Sequence, residues 1–212
     1  MSEAAGKHRA DISIDPRGRQ RCWWCGADAM YRDYHDDEWG HPTADDRHLF
    51  EKICLEGFQC GLSWLTILRR REAFRTAFHD FHIESVAAMT AEDVQRLVAD
   101  DTIIRHRGKI EATIHNAARA LEMQATDGSL AAFFWSYEPE SSPKVLTRND
   151  VRPVTDESHA MAKELKRRGW KFIGPTTCYA FMQAVGMVND HLTECDDHAR
   201  IEQQRKRFTR PH

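Results

Sequence analysis

Apolar side chains recur every three or four residues along most of this chain, which is the spacing of one buried face of an α-helix. The predicted helix markers are an Asp46 cap, a Ser63 cap, a capping box of Thr90 with Asp93, a start at Lys109, a segment from Glu157 to a Gly169 stop, and a first-turn Pro175. The sequence has no sustained two-residue alternation of the kind that marks a strand. The predicted fold class is therefore all-α.

Three stretches lie outside this periodic pattern. Residues 1–20 are polar, and we expect them to form a mobile tail. Residues 198–212 are charged and form either a frayed helix, which is favoured, or a tail that attracts phosphate weakly. Residues 138–156 contain three prolines and are the longest predicted non-helical connection, a kind of loop that is often functional. The pattern predicts one domain over residues 21–197.

Composition narrows the class of protein. Of 212 residues, 41% are hydrophobic and 30% are charged, which suffices for a core and excludes global disorder. The formal net charge of −3 excludes a generally basic nucleic-acid coat but allows a local basic face. No apolar run approaches the ~20 residues that span a bilayer, and no signal segment is evident. We therefore expect a cytoplasmic protein with six reduced cysteines and no membrane partner.

Cysteines and histidines near both ends of the chain have the spacing of metal ligands. Cys22 and His35 lie near one end, and His191-x3-Cys195 lies near the other. Two cysteines and two histidines suit a closed tetrahedral zinc site. Cys25 forms a C-x2-C pair with Cys22 and is an equally acceptable ligand in place of His35. The thiols are alternatively small core residues. Spacing alone leaves these interpretations open.

An acid beside aromatic residues is a second candidate site. Glu56 lies in the apolar, glycine-interrupted segment CLEGFQCGLSW, where a buried carboxylate needs a hydrogen bond or a shifted pKa. Trp24 and Tyr34 belong to an aromatic-rich stretch before it, and Trp64 ends the segment. Such a set suits a planar, electron-poor or cationic ligand. The alternative, slightly favoured from the residues alone, is that the tryptophans are core and Glu56 caps a helix.

A short basic turn between two predicted helices is the third candidate site. Arg105, Arg107 and Lys109 surround Gly108 in the sequence IIRHRGKI. Backbone amides at a helix start receive phosphate, and nearby basic side chains strengthen that attraction. The pattern is similar to a helix-hairpin-helix clamp on the DNA backbone, although it has one of the glycines usual there. The alternative is an ordinary solvated turn.

Taken together, six segments resemble bacterial 3-methyladenine DNA glycosylase I. They follow in order over roughly residues 21–195 and are RCWWCG, YRDYHDDEWG, KICLEGFQCGLSW, IIRHRGKI, KRRGWKFIGPTTCYAFMQA and VNDH. The resemblance implies an all-helical helix-hairpin-helix glycosylase fold in which a zinc site joins the two ends of the chain. It also implies an enzyme that flips 3-methyladenine out of alkylated double-stranded DNA and hydrolyses it free. We further expect a monomer that is monofunctional and leaves an abasic site.

The resemblance also implies roles for particular residues. The family's zinc ligands match Cys22, His35, His191 and Cys195, and Cys25 falls where the family needs no ligand. Its base-pocket residues match the acid Glu56 and the aromatics Trp24, Tyr34 and Trp64. One structural zinc ion and no catalytic cofactor are implied.

Two further expectations concern the reaction. Leu62, just after Gly61, is a candidate wedge that enters the gap left by a flipped base, or else a core residue. Lys109 is expected to serve phosphate and not to form a Schiff base. A lesion-binding protein without catalysis and a zinc hydrolase are the alternatives, and the second is disfavoured because four ligands fill the metal.

Overall fold

Helices dominate the computed structural model, which describes residues 11–141 and 143–212. In chain order the helices are α1 Ala29–Asp37, α2 Asp46–Gln59, α3 Trp64–Leu68, α4 Arg71–Ala77, α5 Ile83–Ala87, α6 Ala91–Ala99, α7 Arg107–Asp127, α8 Leu130–Trp135, α9 Asp156–Arg167, α10 Pro175–Ala184 and α11 Asp196–Arg207. Short 3-10 turns cover Trp23–Cys25, His79–Phe81 and Arg148–Asp150. The all-α prediction is confirmed, with one small sheet added to it.

A two-stranded antiparallel hairpin precedes the helices. Strand β1 (Ile12–Ile14) pairs with strand β2 (Gln20–Cys22). The interpretation of residues 11–20 as part of a mobile tail is therefore wrong, whereas residues 1–10 lie outside the described residues. Strands of three residues are too short for their alternation to stand out in a sequence.

The chain divides into two compact units, each discontinuous in sequence. The first unit comprises the chain up to Pro42, Glu138–Pro153 and Met182–Thr209. The second unit comprises Thr43–Tyr137, Val154–Phe181 and Arg210–His212. Segments from both halves of the sequence thus meet within each unit.

The core of the first unit joins the hairpin, the proline-containing connection and the segment before α11. Its buried members are Ile12, Cys22, Val145, Leu192 and Cys195. The amide of Thr193 donates a hydrogen bond of 2.9 Å to the carbonyl of Val145, which fixes the connection to the C-terminal segment. Two of these core residues are also cysteines with the predicted metal-ligand spacing.

Helix α11 is a packed part of the first unit. Ile201 is fully buried, and Arg205 donates to the carbonyls of Gly186 and Met187, each at 2.8 Å. Up to Arg207 the favoured prediction of a helix for residues 198–212 is therefore correct, but the helix is packed and not frayed, and the alternative of a phosphate-attracting tail is wrong. Its strongly charged sequence conceals the packing, because the long side chain of Arg205 makes the contacts that an apolar stripe would ordinarily make.

Two adjacent acids at the start of α2 have different functions. Asp45 is the N-cap, and its carboxylate accepts the amide of His48 at 2.7 Å. The carboxylate of Asp46 instead accepts the amides of Leu130 and Ala131 at 2.9 and 2.8 Å. The prediction that Asp46 caps its own helix is wrong by one residue, because its side chain satisfies the free amides at the start of α8.

The other predicted helix boundaries are mostly correct. The confirmed markers are the Ser63 cap, the box of Thr90 with Asp93, the Gly169 stop at φ +88° and the first-turn Pro175. Helix α7 begins two residues before Lys109, because the side chain of His106 caps it. The helix after Ser63 is broken between α3 and α4, where Arg70 has non-helical dihedrals.

Candidate active site and metal centre

The first unit brings three of the predicted metal ligands together. The ligand atoms of Cys22, His35 and Cys195 all lie within 4.8 Å of one another, and all three side chains are buried. The end of β2 supplies Cys22, α1 supplies His35, and Cys195 is the N-cap residue of α11. The Sγ of Cys195 lies 3.6 Å from Nε2 of His35.

His191 lies beside these three residues and completes what we call the Cys/His cluster. Its ring centroid is 4.9 Å from that of His35. Its Nδ1 is 3.1 Å from Oδ1 of Asn189, and Nδ1 of His35 is 2.8 Å from Oδ1 of Asp36. Each Nδ1 can thus donate its proton to an oxygen, which leaves each Nε2 with a lone pair. The buried Nε2 of His191 has no hydrogen-bond partner among the described residues.

The electrostatics of the Cys/His cluster favour a thiolate. A hydrogen bond from Cys22 lowers the pKa of Cys195 to about 5, and the same bond raises the pKa of Cys22. A thiolate is the form of cysteine that binds a metal. Two thiols, two buried imidazoles and an orphaned Nε2 are chemically suited to a four-ligand metal ion.

Cys25 stands apart from the Cys/His cluster. Its thiol donates to the backbone carbonyl of Cys22 at 3.2 Å, which is the ordinary contact of a thiol inside a short 3-10 turn. The set that includes His35 is the one whose ligand atoms the structure brings together.

Charged residues that the sequence analysis missed surround the Cys/His cluster. Arg21 donates to Asp36 through Nε at 2.9 Å and through Nη2 at 2.8 Å. Asp197 is buried and accepts from Arg19 at 3.1 Å. These two acids also lie near His35, so they hold its ring and share the charge of the arginines. The acids that follow His35 in YHDDEWG were the available signal.

Aromatic rings pack against the Cys/His cluster within the first unit. The ring of Trp24 is 5.1 Å from that of His35, 4.9 Å from Trp39 and 6.4 Å from Tyr34. Tyr34 is buried, and Trp24 remains partly exposed. The predicted aromatics Trp24 and Tyr34 therefore share one cluster of rings, which packs against His35.

Glu56 lies on the buried side of α2 in the second unit. It is 5% exposed, and burial raises its pKa from 4.5 to about 8. Among the described residues, the charge of Lys52 is what opposes this shift. A carboxyl group in this environment is costly to ionise unless a cation approaches it. The alternative that Glu56 caps a helix is not supported, because it lies within α2 and not at its end.

Lys52 is a functional candidate that the sequence analysis did not identify. It lies one turn before Glu56 on α2 and is fully buried. Its ammonium lies 5.4 Å from the ring centroid of Trp64, which is within cation–π range. Trp64 is itself 7% exposed and is the first residue of α3, directly after the Ser63 cap. The signal was the spacing of Lys52 and Glu56 in KICLEG, four residues apart.

The turn between α2 and α3 presents an apolar side chain to solvent. Gly61 has φ +83°, a backbone conformation that glycine adopts without steric cost. Leu62, directly after it, is 41% exposed. The alternative that Leu62 is an ordinary core residue is therefore wrong for this structure.

The placement of Lys109 contradicts its predicted role as a phosphate contact. The side chain is buried, and its ammonium donates to the carbonyls of Phe58 and Cys60 at 2.9 and 2.8 Å. These carbonyls lie at the end of α2, where no further helical amides are available to bond them. Lys109 therefore holds the turn that carries Leu62 to the start of α7.

The other basic residues of the turn before α7 are exposed, unlike Lys109. Arg105 and Arg107 are exposed, and Arg107 donates to Oε1 of Gln95 at 3.0 Å. At Gly108 an added Cβ would lie 3.3 Å from the ring of Phe172. Glycine at this position thus accommodates a neighbouring aromatic ring. Phe172 is 46% exposed and has φ +55°, an unusual conformation for a non-glycine residue.

No helix of the described residues is long and apolar enough to cross a bilayer.

Known proteins resemble this chain over most of its length. A sequence model of a family described as methyladenine glycosylase matches residues 24–198. DNA-3-methyladenine glycosylase 1 of Escherichia coli (strain K12) is 49% identical over 179 residues, covering 83% of this chain and 95% of that protein. The DNA-3-methyladenine glycosylase of Haemophilus influenzae is 48% identical over 178 residues, covering 82% and 96% of the two chains.

Solved structures agree with these sequence matches. A crystal structure of 3-methyladenine DNA glycosylase I has a TM-score of 0.81 at 49% identity, covering 84% of this chain and 100% of that one. A Staphylococcus aureus 3-methyladenine DNA glycosylase I, whose structure concerns the recognition of 3-methyladenine, has a TM-score of 0.79 at 39% identity and covers 84% and 96%. Sequence and structure thus agree that this chain belongs to the methyladenine glycosylase family.

Proposed function

We propose that this protein is a DNA glycosylase that flips 3-methyladenine out of alkylated double-stranded DNA, releases the base by hydrolysis and leaves an abasic site. Its relatives are named for this activity. The observation that carries the proposal is the carboxyl group of Glu56, which is 5% exposed and whose pKa burial raises to about 8. Buried acids with strongly perturbed pKa values are candidates for functional sites.

The chemistry of the lesion explains how little acid catalysis is needed. Methylation at N3 makes the adenine of a nucleotide cationic, so the base leaves the sugar as a neutral molecule. The enzyme need not protonate it. It must extrude the damaged nucleotide, bind the base and exclude ordinary bases, and extrusion costs a few kcal/mol, less for a damaged base.

Glu56 discriminates by charge. Without a cation beyond Lys52 beside it, the carboxyl group is largely neutral at pH 7, because its pKa is about 8. A cationic base lowers that pKa, so the carboxyl group ionises. The attraction between the two opposite charges is then strong, because the site holds little water. A neutral adenine or guanine offers no such compensation, so ionising Glu56 beside it remains costly. Glu56 is thus the proposed catalytic residue and the main acceptor for the adenine edge.

Aromatic side chains supply the stacking surfaces in this proposal. We assign base binding to Trp24 and Tyr34 and, separately, to Trp64. A cationic ring over an indole gains ~0.5–2 kcal/mol, which offsets part of the cost of extrusion. The same face of an uncharged base gains less, so stacking reinforces the selectivity that Glu56 provides.

The DNA contacts in this proposal lie on the basic turn before α7 and on the turn before α3. Arg105, Arg107 and the amides near Gly108 at the start of α7 bind phosphate, since that helix end attracts anions. Leu62 enters the gap left by the flipped nucleotide, and its 41% exposure supports this role. Lys109 acts indirectly, because it holds the turn of Leu62 against α7.

Cys22, His35, His191 and Cys195 hold one structural zinc ion in this proposal, and no catalytic cofactor is required. Their donor set and the orphaned Nε2 of His191 support it. Bound zinc would stabilise the fold and, having four protein ligands, would not activate water. The same proposal includes a monomer that acts in the cytoplasm, where thiols remain reduced.

Chromatography of the bases released from methylated duplex DNA tests the activity. We expect the protein to release 3-methyladenine and to spare 7-methylguanine. Glu56→Gln preserves the size of the side chain but removes its charge, so excision should fall far more than DNA binding. Equal loss of both, with the fold intact, would show that Glu56 has a structural role only. Release of no base by the native protein, with tight binding to methylated DNA, would show a lesion-binding protein instead.

A further inference from the structure

Lys52 is the buried cation closest in sequence to the acid of the base pocket, and its position on α2 makes it more than a core residue. It is 0% exposed, in a class of side chain that is almost never fully buried without a partner. Residues four apart on a helix lie on one face, with Cβ atoms ~5–6 Å apart, so Lys52 and Glu56 project to the same side of α2.

The ammonium of Lys52 also contacts the aromatic wall. Its Nζ is 5.4 Å from the ring centroid of Trp64, which follows α2 across the Leu62 turn. One cation therefore acts on two residues of the proposed pocket, a carboxylate on its own helix and an indole on the next. Neither Leu nor Met at this position could attract both groups.

Four other titratable groups near α2 either have partners of their own or are exposed. Lys109 of α7 donates to the carbonyls of Phe58 and Cys60. Arg75 of α4 donates to Glu51 at 2.9 Å. His79 and Asp80 of the following 3-10 turn are exposed. Among the described residues, the charge that opposes the effect of burial on Glu56 is that of Lys52.

We propose that Lys52 is a positioning residue of the base pocket, whose buried ammonium favours the charged form of Glu56 and holds the ring of Trp64 in place. The inference rests on the proposed role of Glu56 as the charge that selects a cationic base. Lys52 does not touch the reacting atoms in this account. It sets how easily the carboxylate ionises before the base arrives, and therefore sets the pH range in which the pocket accepts its substrate.

The charge of Lys52 lowers the pKa of Glu56. Removing the cation leaves burial unopposed, so the pKa of Glu56 should rise above about 8. The acid limb of the pH profile of kcat/KM should then move to higher pH. An opposite charge nearby is worth about one pKa unit or more, which corresponds to a tenfold lower kcat/KM at neutral pH. The two profiles should converge at high pH, where Glu56 is ionised in both proteins.

The test compares Lys52→Met and Lys52→Gln with Lys52→Arg. Base release from methylated duplex DNA would be measured from about pH 6 to about pH 10, after thermal melts confirm folding. The ¹³C resonance of the Glu56 carboxyl group, assigned with Glu56→Gln, would be titrated by NMR without DNA. We expect the two uncharged variants to move both the acid limb and the NMR titration upward by about one unit. Lys52→Arg, which keeps the charge, should restore both.

The outcomes separate the two proposals. If the uncharged variants fold and leave both titrations where they are in the native protein, Lys52 is a structural residue and the inference is wrong. If Glu56→Gln keeps the acid limb, the proposed role of Glu56 fails. In that case the NMR titration still decides whether Lys52 controls the ionisation of Glu56.

Discussion

Two buried polar regions of this protein differ in how completely their charges are matched. Around the Cys/His cluster, Arg21 pairs with Asp36, and each histidine Nδ1 meets an oxygen. Around Glu56, burial raises the pKa to about 8 against the opposition of one lysine. In the first region these groups are paired within one unit, and the proposed ion would complete the set. The second keeps a buried carboxyl group whose ionisation is unfavourable and would be favoured by a cationic ligand. This difference is what we expect if the proposed zinc site stabilises the fold and the proposed base pocket selects a substrate.

The largest expected effect is at the Cys/His cluster. Cys195→Ser should lose the proposed zinc ion and lower the stability of the protein by several kcal/mol, because metal binding at such a site is coupled to folding. Elemental analysis of the purified protein and a thermal melt would measure both. Cys25→Ser is the matched control and should keep one zinc per chain, since its thiol donates to a carbonyl.

The opposite result would reassign the ligands. If Cys25→Ser released the metal and His35→Ala retained it, the C-x2-C pair would hold the ion. If both variants and the native protein contained no zinc, the Cys/His cluster would be held by its hydrogen bonds and ion pairs alone.

The next effect concerns Glu56 and the free energy of unfolding as a function of pH. Its folded pKa, about 8, lies above the ordinary 4.5, so the neutral form favours the folded state. This contribution is fully present below about pH 4.5 and is lost as the pH rises through about 8. Glu56→Gln cannot ionise and escapes that loss. Relative to the native protein, it should gain stability on the order of 5 kcal/mol across this range, at 1.36 kcal/mol per unit.

Urea denaturation of the DNA-free protein at several pH values would measure this gain. Glu140→Gln, which changes an exposed carboxylate, is the control and should track the native protein. A constant difference between Glu56→Gln and the native protein at every pH would contradict the buried, unfavourable charge. It would also remove the contrast between the two regions.

Local features of this protein could be predicted from its sequence better than long-range contacts, for physical reasons. Helix starts at Ser63, Thr90 and Pro175 depend on local capping chemistry and could be identified from neighbouring residues. The metal-ligand candidates could be listed from spacing and chosen by family resemblance. The Asp46 bonds to α8 could not be predicted, because they join residues more than 80 positions apart.

The β1–β2 hairpin and the burial of Lys52 were not predicted, for related reasons. Strands of three residues show no usable alternation, so β1 looked like a tail. A lysine is ordinarily exposed, so the sequence pattern did not predict that Lys52 is buried. Its burial depends on how α2 and α3 pack. The prediction for Lys109 failed in the opposite way. This basic residue in a basic turn was expected to contact phosphate, although its ammonium caps the end of another helix.

The smallest expected effects distinguish the role of Lys109 from that of the exposed arginines of the same basic turn before α7. Lys109→Met removes an ammonium that donates to two carbonyls, and hydrogen bonds to charged groups are worth about 1.5–3 kcal/mol each. The variant should therefore melt earlier, while the slope of log affinity for DNA against log salt stays unchanged. Arg105→Ala should behave in the opposite way, with an unchanged melt and a slope reduced in magnitude by about one, because each neutralised phosphate contributes nearly one unit. Salt titrations with undamaged duplex would measure the slopes. If Lys109→Met lowered the slope and left the melt unchanged, Lys109 would contact phosphate after all, and the hairpin would use its buried lysine for binding.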